Sequence, residues 1–288
     1  MKIQTWLNDS IKRLQAVGIT SARLDVLIVL ESTLEKSRTW IAAHDDVEFS
    51  ESVVLKLNKK ILQRENHTPL AYIIGSKEFY GRKFSVNESV LVPRPESEDT
   101  IDLLIDLASS EQWLVDGKKT NQLPTINYPL FTILDIGTGS GILAITAQLE
   151  LPDAVVVATD ISEVALVVAK QNAEHLNAPV QFYQADMLDI PTSIKPDVIL
   201  ANLPYVPDTL ITSQEITKEP TVALFSGKDG LNHYRRFWNQ VINLNPKPET
   251  IITESLEDQH TYLSQLALTA GYKLTQTKAL TQLFTQIK

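Results

Sequence analysis

The 288 residues include no cysteine. That absence excludes a disulfide framework, a thiolate nucleophile and any thiolate metal site. Nor does any apolar run approach the ~20 residues that a membrane-spanning helix needs. The chain opens on an amphipathic pattern rather than an apolar leader, which together fits a cytoplasmic location. Histidine is scarce, with five in the chain. His44 and His67 have no partners at ligand spacing, so both read as structural or surface residues and no metal site is expected. Positive charge is also short: 26 Lys and Arg stand against 35 Asp and Glu, a net charge of −9. The deficit lies in residues 91–288, with 13 basic against 24 acidic, whereas residues 1–90 hold 13 against 11. An acidic main body speaks against gripping a nucleic-acid duplex, which calls for basic faces. Neither direct nucleic-acid binding nor a membrane contact is expected.

What remains is an ordinary globular composition, 43% apolar and 21% charged, in a chain long enough for one large or two ordinary domains. The front end reads as helices. Ile3, Trp6, Leu7, Ile11 and Leu14 share one face, and Gly18 stands where a helix ends. Ser21 is a candidate cap for a second helix through Leu24, Leu27, Ile28 and Leu34. Ser50 is a candidate cap for a third, with Val53, Val54, Leu57 and Ile61 apolar and Lys56, Lys59, Lys60 and Arg64 exposed. Residues 68–92 change texture and suggest a hairpin turning near Gly81. Pro93-Arg94-Pro95-Glu96-Ser97-Glu98 then stiffens the approach to a helix ending near Ala108, and residues 109–130 read as a polar loop.

From Phe131 the pattern is strand, helix, strand, helix. Strands are expected at 131–136, 154–159, 180–184, 197–201, 249–253, 272–277 and 283–287, and helices at 141–150, 162–176, 229–243 and 257–270. Such alternation predicts a seven-stranded, mostly parallel sheet covered on both faces, a Rossmann-like α/β fold. The last two strands lie too close in sequence for a crossover helix, so at least one is antiparallel.

Polar groups gather at the ends of four of these strands. Ile133-Leu134-Asp135-Ile136 runs into Gly137-Thr138-Gly139-Ser140-Gly141. Glycines allow a tight turn and close approach of a ligand. Ile142 stands where a dinucleotide fingerprint wants its third glycine, and no Walker Lys-Ser/Thr follows, so a triphosphate is not expected. Asp160 ends the next strand, at the spacing of a ribose-gripping carboxylate. Asp186 and Met187 follow the third strand and could bracket an adenine, with Asp189 as the structural competitor. The fourth strand closes on Asn202-Leu203-Pro204-Tyr205, an amide, a fixed corner and a ring that together can hold a planar, nitrogen-bearing group. A glycine loop, a ribose carboxylate and an adenine bracket without a phosphate device match S-adenosylmethionine. Asp135 or the loop amides could meet its charged amino-acid end.

In these motifs the chain resembles the release-factor glutamine methyltransferases, the PrmC/HemK family, over nearly its whole length. The family's N-P-P-Y signature is similar to Asn202 through Tyr205, its glycine loop to Asp135 through Gly141, and its P-R-P-E-T-E segment to Pro93 through Glu98. Pro69, Tyr72, Gly75, Phe79, Gly81 and Phe84 also match, as do Glu219 through Leu224, Gly227, Asp229 through Leu231 and Tyr234 through Arg236. The resemblance implies a helical substrate-docking domain at 1–67, a hairpin bridge at 68–92 and a class I methyltransferase domain at 93–288. It implies methyl transfer from S-adenosylmethionine to the side-chain nitrogen of the glutamine in the Gly-Gly-Gln tip of class I peptide-chain release factors, a step tied to translation termination. Cofactor contacts would be Gly137, Thr138, Gly139, Ser140, Gly141, Asp160, Met187 and Asn202, with Asp186 added from its strand-end position. Asn202, the Leu203 carbonyl, Pro204 and Tyr205 would meet the substrate. Two departures stand out. Leu203 replaces the first proline of the signature, and the C-terminus reads Lys278-Ala279-Leu280-Thr281-Gln282-Leu283-Phe284 in place of the family's usual closing cluster. Rival readings are a glutamine methyltransferase of a ribosomal protein, an adenine-N6 DNA methyltransferase, and a cofactor-binding interaction protein with impaired catalysis.

Overall fold

A computed structural model describes residues 1–109, 131–210 and 213–288. The loop expected at 109–130 lies outside the described residues, apart from Ser109, which ends a helix. The chain forms two compact units, one of residues 1–76 with 212–218, the other of residues 77–211 with 219–288.

The first unit is helical: α1 (Ile3–Ala16), α2 (Ala22–Leu34), α3 (Arg38–Ala43), α4 (Glu51–Glu65) and α5 (Leu70–Ile74). Its core holds Ile3, Trp6, Leu14, Val26, Val29, Leu30, Leu57 and Ile61. Several sequence expectations change here. The buried face of α2 is Ala22, Val26, Val29 and Leu30, while Leu24 is exposed. Its apolar residues are spread round the helix and not gathered in one stripe, so the pattern names no single face. Neither expected cap forms. Ser21 has ψ near 10°, outside the extended region a capping residue uses, and the Ser50 hydroxyl meets Ser52 instead. Ser37 does cap, accepting from Trp40 N at 3.2 Å, and opens the unforeseen α3. Residues 70–74 form α5, which packs on the helical core, so the change of texture at 68 begins with a helix. Arg64, expected in solvent, is 3% exposed and ion-paired with Asp25 at 2.6 Å and Glu215 at 2.5 Å. Two carboxylates neutralise a cation that helical periodicity alone would leave outside.

A hairpin follows, β1 (Ser76–Phe79) and β2 (Arg82–Ser85), which from Lys77 on belongs to the second unit. Tyr80 and Gly81 both take positive φ at its turn, the geometry of a two-residue hairpin loop. A single 3₁₀ turn at Pro95–Ser97 leads into α6 (Glu98–Ser109). The sheet follows: β3 (Thr132–Ile136), β4 (Val155–Asp160), β5 (Gln181–Gln184), β6 (Val198–Ala201), β7 (Thr250–Glu254), β8 (Tyr272–Lys278) and β9 (Thr281–Gln286), in the order β5-β4-β3-β6-β7-β9-β8. Only β9 is reversed, pairing antiparallel with β7 and β8. Helices α7 (Ile142–Glu150), α8 (Glu163–Leu176), α9 (Asn232–Ile242) and α10 (His260–Thr269) complete it. Two apolar clusters lie on the two faces of the sheet, one around Leu143 and Val198, the other around Leu134, Phe237 and Trp238.

Three boundaries differ from the sequence reading. α9 starts at Asn232 rather than 229, because Gly230 has φ 75° and turns the chain first. A 3₁₀ turn at Glu257–Gln259 precedes α10. β9 begins at Thr281 rather than 283, since β8 and β9 join through Ala279 and Leu280 alone, with Ala279 at φ 45°. No glycine announces that turn. The divergent C-terminal segment also places Lys278 against Asp99 at 2.9 Å and Asp102 at 2.5 Å, tying the hairpin to α6.

Candidate functional site

β4, β3, β6 and β7 lie side by side and parallel. Their carboxyl ends therefore share one edge of the sheet, the edge where open α/β folds bind ligands at the reversal of strand order. That reversal falls between β3 and β6, so the glycine loop after β3 and Asn202 after β6 come to adjacent positions.

The glycine loop is built from within. Asp135 is buried, and its Oδ2 accepts from Thr138 Oγ1 at 2.6 Å and Ala144 N at 3.2 Å. Burial pushes its carboxyl up to about 7. Asp135 thus organises the loop from inside. Thr138 and Ser140 are buried as well, and the Ser140 carbonyl accepts from Asn172 Nδ2 at 2.9 Å. Gly141 faces the protein: a β-carbon there would sit 2.8 Å from Ile145 Cδ1 and 3.2 Å from Ala169 Cβ. Gly137 and Gly139 are the members of the loop that reach the surface, both at positive φ. A β-carbon on Gly139 would meet nothing within 4 Å, so a ligand can lie directly on that backbone.

Asp160 is held by main-chain donors, Gly139 N on Oδ2 at 2.9 Å and Ser162 N on Oδ1 at 2.8 Å. Burial raises its carboxyl above the usual range. Each oxygen keeps a second lone pair for a hydroxyl donor, which suits a ribose. Ile161, next along, is 63% exposed, an apolar surface beside that carboxylate that can receive a flat base. Sequence reasoning passed over it; the signal was an isoleucine directly after the ribose acid. Met187 is buried at φ 54°, while Asp186 is half-exposed and ion-paired with Arg236 at 2.5 Å. Asp189 N donates to the Asp186 carbonyl in the same turn.

Asn202 is where the sheet brings together residues far apart in sequence. Its Nδ2 donates to Ser97 Oγ at 3.0 Å and to Glu254 Oε2 at 3.0 Å. Both hydrogens of the amide are thereby spent, which leaves Oδ1 as the group that can meet an incoming donor. Tyr205 donates its hydroxyl to Glu254 Oε1 at 2.8 Å, and burial beside that carboxylate raises the phenol far above its usual range. The Tyr205 carbonyl accepts from Gln259 Nε2 at 2.8 Å. The Tyr234 hydroxyl lies between the Ala201 and Glu254 carbonyls, at 2.8 and 2.5 Å, and pins the ends of β6 and β7. Leu203 is 4% exposed and belongs to the apolar cluster around Leu134, Phe237 and Trp238. Pro93 and Arg94 are held near the same edge by Glu219, which accepts from Val92 N at 3.0 Å and Arg94 Nη2 at 2.6 Å. Glu254, Ser97, Asn172, Gln259 and Glu219 carried no role in the sequence reading. Glu254 could have been found as the acid ending the strand after Asn202's, but only the sheet order makes those two strands neighbours. Among the described residues no group of His, Asp and Glu is set to hold a metal ion, and no helix is long and apolar enough to cross a membrane.

Comparison with known proteins agrees with this geometry. Residues 5–75 match the PrmC N-terminal domain, and residues 129–270 match a methyltransferase domain. The chain is 32% identical over 286 residues to a bifunctional methyltransferase of Rickettsia bellii, covering 94% of this chain and 51% of that protein. It therefore spans about half the length of that relative. It is 35% identical over 222 residues to the release factor glutamine methyltransferase of Bacillus subtilis, covering 75% of this chain and 72% of that one. Among solved structures, the hMettl16 catalytic domain in complex with MAT2A 3'UTR hairpin 1 superposes with a TM-score of 0.56 at 12% identity, over 91% of each chain, a likeness of fold alone. A class I methyltransferase domain implies S-adenosylmethionine as the methyl donor, and the open glycine backbone, the Asp160 carboxylate and the apolar Ile161 surface fit that nucleoside. Taken with identity sustained across both units, these features mean that the chain belongs to the release factor glutamine methyltransferase family.

Proposed function

We propose that this protein transfers a methyl group to the side-chain amide nitrogen of the glutamine in the Gly-Gly-Gln motif of a class I peptide-chain release factor. The observation that carries the reading is the Asn202 amide, whose hydrogens are both engaged by Ser97 and Glu254. Its free oxygen suits a substrate with N–H groups to offer, and a primary carboxamide offers two.

S-adenosylmethionine, when bound, supplies a methyl group on a positively charged sulfur. Gly137 and Gly139 would carry its amino-acid portion on their bare backbone, Asp160 would take the ribose hydroxyls, and Ile161 with Met187 would flank the base. Asp186 would stand at the edge of that base. The remaining work falls to the acceptor side. An amide nitrogen is a weak nucleophile because its lone pair is delocalised into its carbonyl. Asn202 Oδ1 and the Leu203 carbonyl would accept its two hydrogens, fix its plane, and favour the positive charge that grows on nitrogen in the transition state; the methylated nitrogen would then release one of those hydrogens to water as a proton. Holding the reacting atoms about 3–3.5 Å apart makes the reaction effectively unimolecular. Tyr205 would lie beside the amide plane, and Pro204 would set the corner between them. The helical unit would dock the body of the release factor.

The test is mass spectrometry of the Gly-Gly-Gln peptide after incubating the protein with S-adenosylmethionine and a full-length release factor. One added methyl on the glutamine is expected, and none when that glutamine is alanine. Asn202→Ala should abolish transfer while leaving cofactor affinity within about threefold of wild type. Methylation of a ribosomal protein or of DNA in place of the release factor would overturn the reading.

A further inference from the structure

Glu254 is 2% exposed, yet among the described residues no cation pairs with it. Its carboxylate meets neutral donors only: the Asn202 amide at 3.0 Å, the Tyr205 hydroxyl at 2.8 Å, and the Ser97 hydroxyl. Burying an anion without a countercharge is costly, and a neutral glutamine of the same shape would avoid that cost. Burial raises the Glu254 carboxyl, while its three donors draw it back toward the ionised form, and in that form it can only accept. Facing Glu254, the Asn202 amide has one satisfied orientation, NH2 inward. Ser97 follows the same polarity, since its proton goes to the carboxylate and its oxygen is left to accept from Asn202. A glutamine at 254 could donate as well as accept, and Asn202 could then turn over and present its NH2 to the substrate.

The two orientations of Asn202 select different substrates. An outward oxygen accepts from a carboxamide and repels a carboxylate; an outward NH2 welcomes a carboxylate. We propose that Glu254 makes this site select a side-chain carboxamide over a carboxylate, by fixing the Asn202 amide with its oxygen toward the acceptor group. The inference rests on the glutamine reading above for the identity of that acceptor. Glu254 does not touch the substrate; it is a positioning residue that acts through Asn202, and β7 holds it there because Ala201 and Thr253 are register partners one residue back on adjacent strands.

The experiment has two arms. In the first, ¹⁵N-labelled protein is used to follow the Asn202 side-chain NH2 resonances, assigned by their loss in Asn202→Ala. In wild type they should exchange with solvent at least tenfold more slowly than those of exposed asparagines, and that protection should fall in Glu254→Gln. In the second, the Gly-Gly-Gln peptide is the substrate and its Gly-Gly-Glu counterpart the inhibitor. Glu254→Gln should lower kcat with little change in KM for the glutamine peptide, and should bind the glutamate peptide about 10–100-fold more tightly relative to wild type, the range expected for one hydrogen bond to a charged group. Unaltered affinity for S-adenosylmethionine shows that the variant is folded. Fast exchange of the Asn202 amide in wild type overturns the proposal, whether or not the variant folds. So does a folded Glu254→Gln that rejects the glutamate peptide as strongly as wild type. If wild type leaves the glutamine unmethylated, the glutamine reading fails, and the resonance arm still decides how Asn202 is held.

Discussion

Leu203 closes over the glycine loop, with its Cδ2 3.5 Å from the point that a β-carbon on Gly137 would occupy. The residue that departs from the family signature is therefore a packing element between the two halves of the candidate site. Proline at this position would keep the carbonyl but surrender the branched side chain that fills the space beneath Gly137. Leu203→Pro should lower stability by about 1–3 kcal/mol through the lost core volume and should lower turnover too. Thermal unfolding and single-substrate kinetics check both; a faster, equally stable variant would show that the leucine contributes nothing.

Two glycines of one loop should fail in different ways. Gly141→Ala drives a β-carbon to 2.8 Å from Ile145 at a position already needing φ 84°, so the variant should be destabilised by about 2–4 kcal/mol. Gly139→Ala meets only open space, at φ 57°. It should cost about 1 kcal/mol of strain and show its main effect as weaker S-adenosylmethionine binding. Chemical denaturation beside calorimetric titration separates the two.

Gly230 tests how Tyr205 is placed. A β-carbon there would lie 2.1 Å from the Tyr205 carbonyl and 2.5 Å from Gln259 Nε2, breaking the bond that holds the Tyr205 main chain. Gly230→Ala should reduce kcat at least tenfold, with cofactor affinity near wild type because the glycine loop and Asp160 are untouched. A wild-type rate would mean that Tyr205 need not be fixed.

Asp135 gives a pH dependence with a definite sign. Its carboxyl is raised to about 7 by burial, so the folded protein binds a proton that the unfolded chain releases near 4. Stability from this group is complete below the unfolded value and is lost as pH rises through 7. Asp135→Asn keeps an acceptor for Thr138 and Ala144 but cannot ionise. The variant should gain about 2–3 kcal/mol relative to wild type between pH 5 and pH 8, since each pH unit from 5 up to the folded value near 7 is worth ~1.4 kcal/mol and the effect levels off above it. Denaturation of the cofactor-free protein across that range measures it.

In the helical unit, Arg64→Ala should cost about 3–5 kcal/mol, because it strands the buried Asp25 without its cation, while the more exposed Glu215 is left to solvent. Arg13→Ala removes the half-exposed pair with Glu65 and should cost at most about 1 kcal/mol. Equal losses would show that burial of Arg64 contributes nothing.

Strand existence, helix order and the glycine loop were legible because they rest on local signals: runs of Val, Ile and Leu, amphipathic spacing, and glycines at turns. Every strand of the sheet falls within two residues of its sequence-based position. The misses came where two local solutions were equally good or where no local signal exists. The apolar residues of α2 are spread round the helix and point to no one buried face, and the Ala279–Leu280 turn carries no glycine to mark it.

The sequence by itself determined which residues stand at strand ends, and so placed Asp160 and Asn202 at one edge of the sheet. Only the tertiary structure decided how Asn202 is oriented. Strand order sets Glu254 beside it, the turn ahead of α6 brings Ser97 across more than a hundred residues, and α9 pins both strands through Tyr234. Hydrogen-bond polarity depends on which partners meet in space. A residue's own neighbours along the chain carry no record of that.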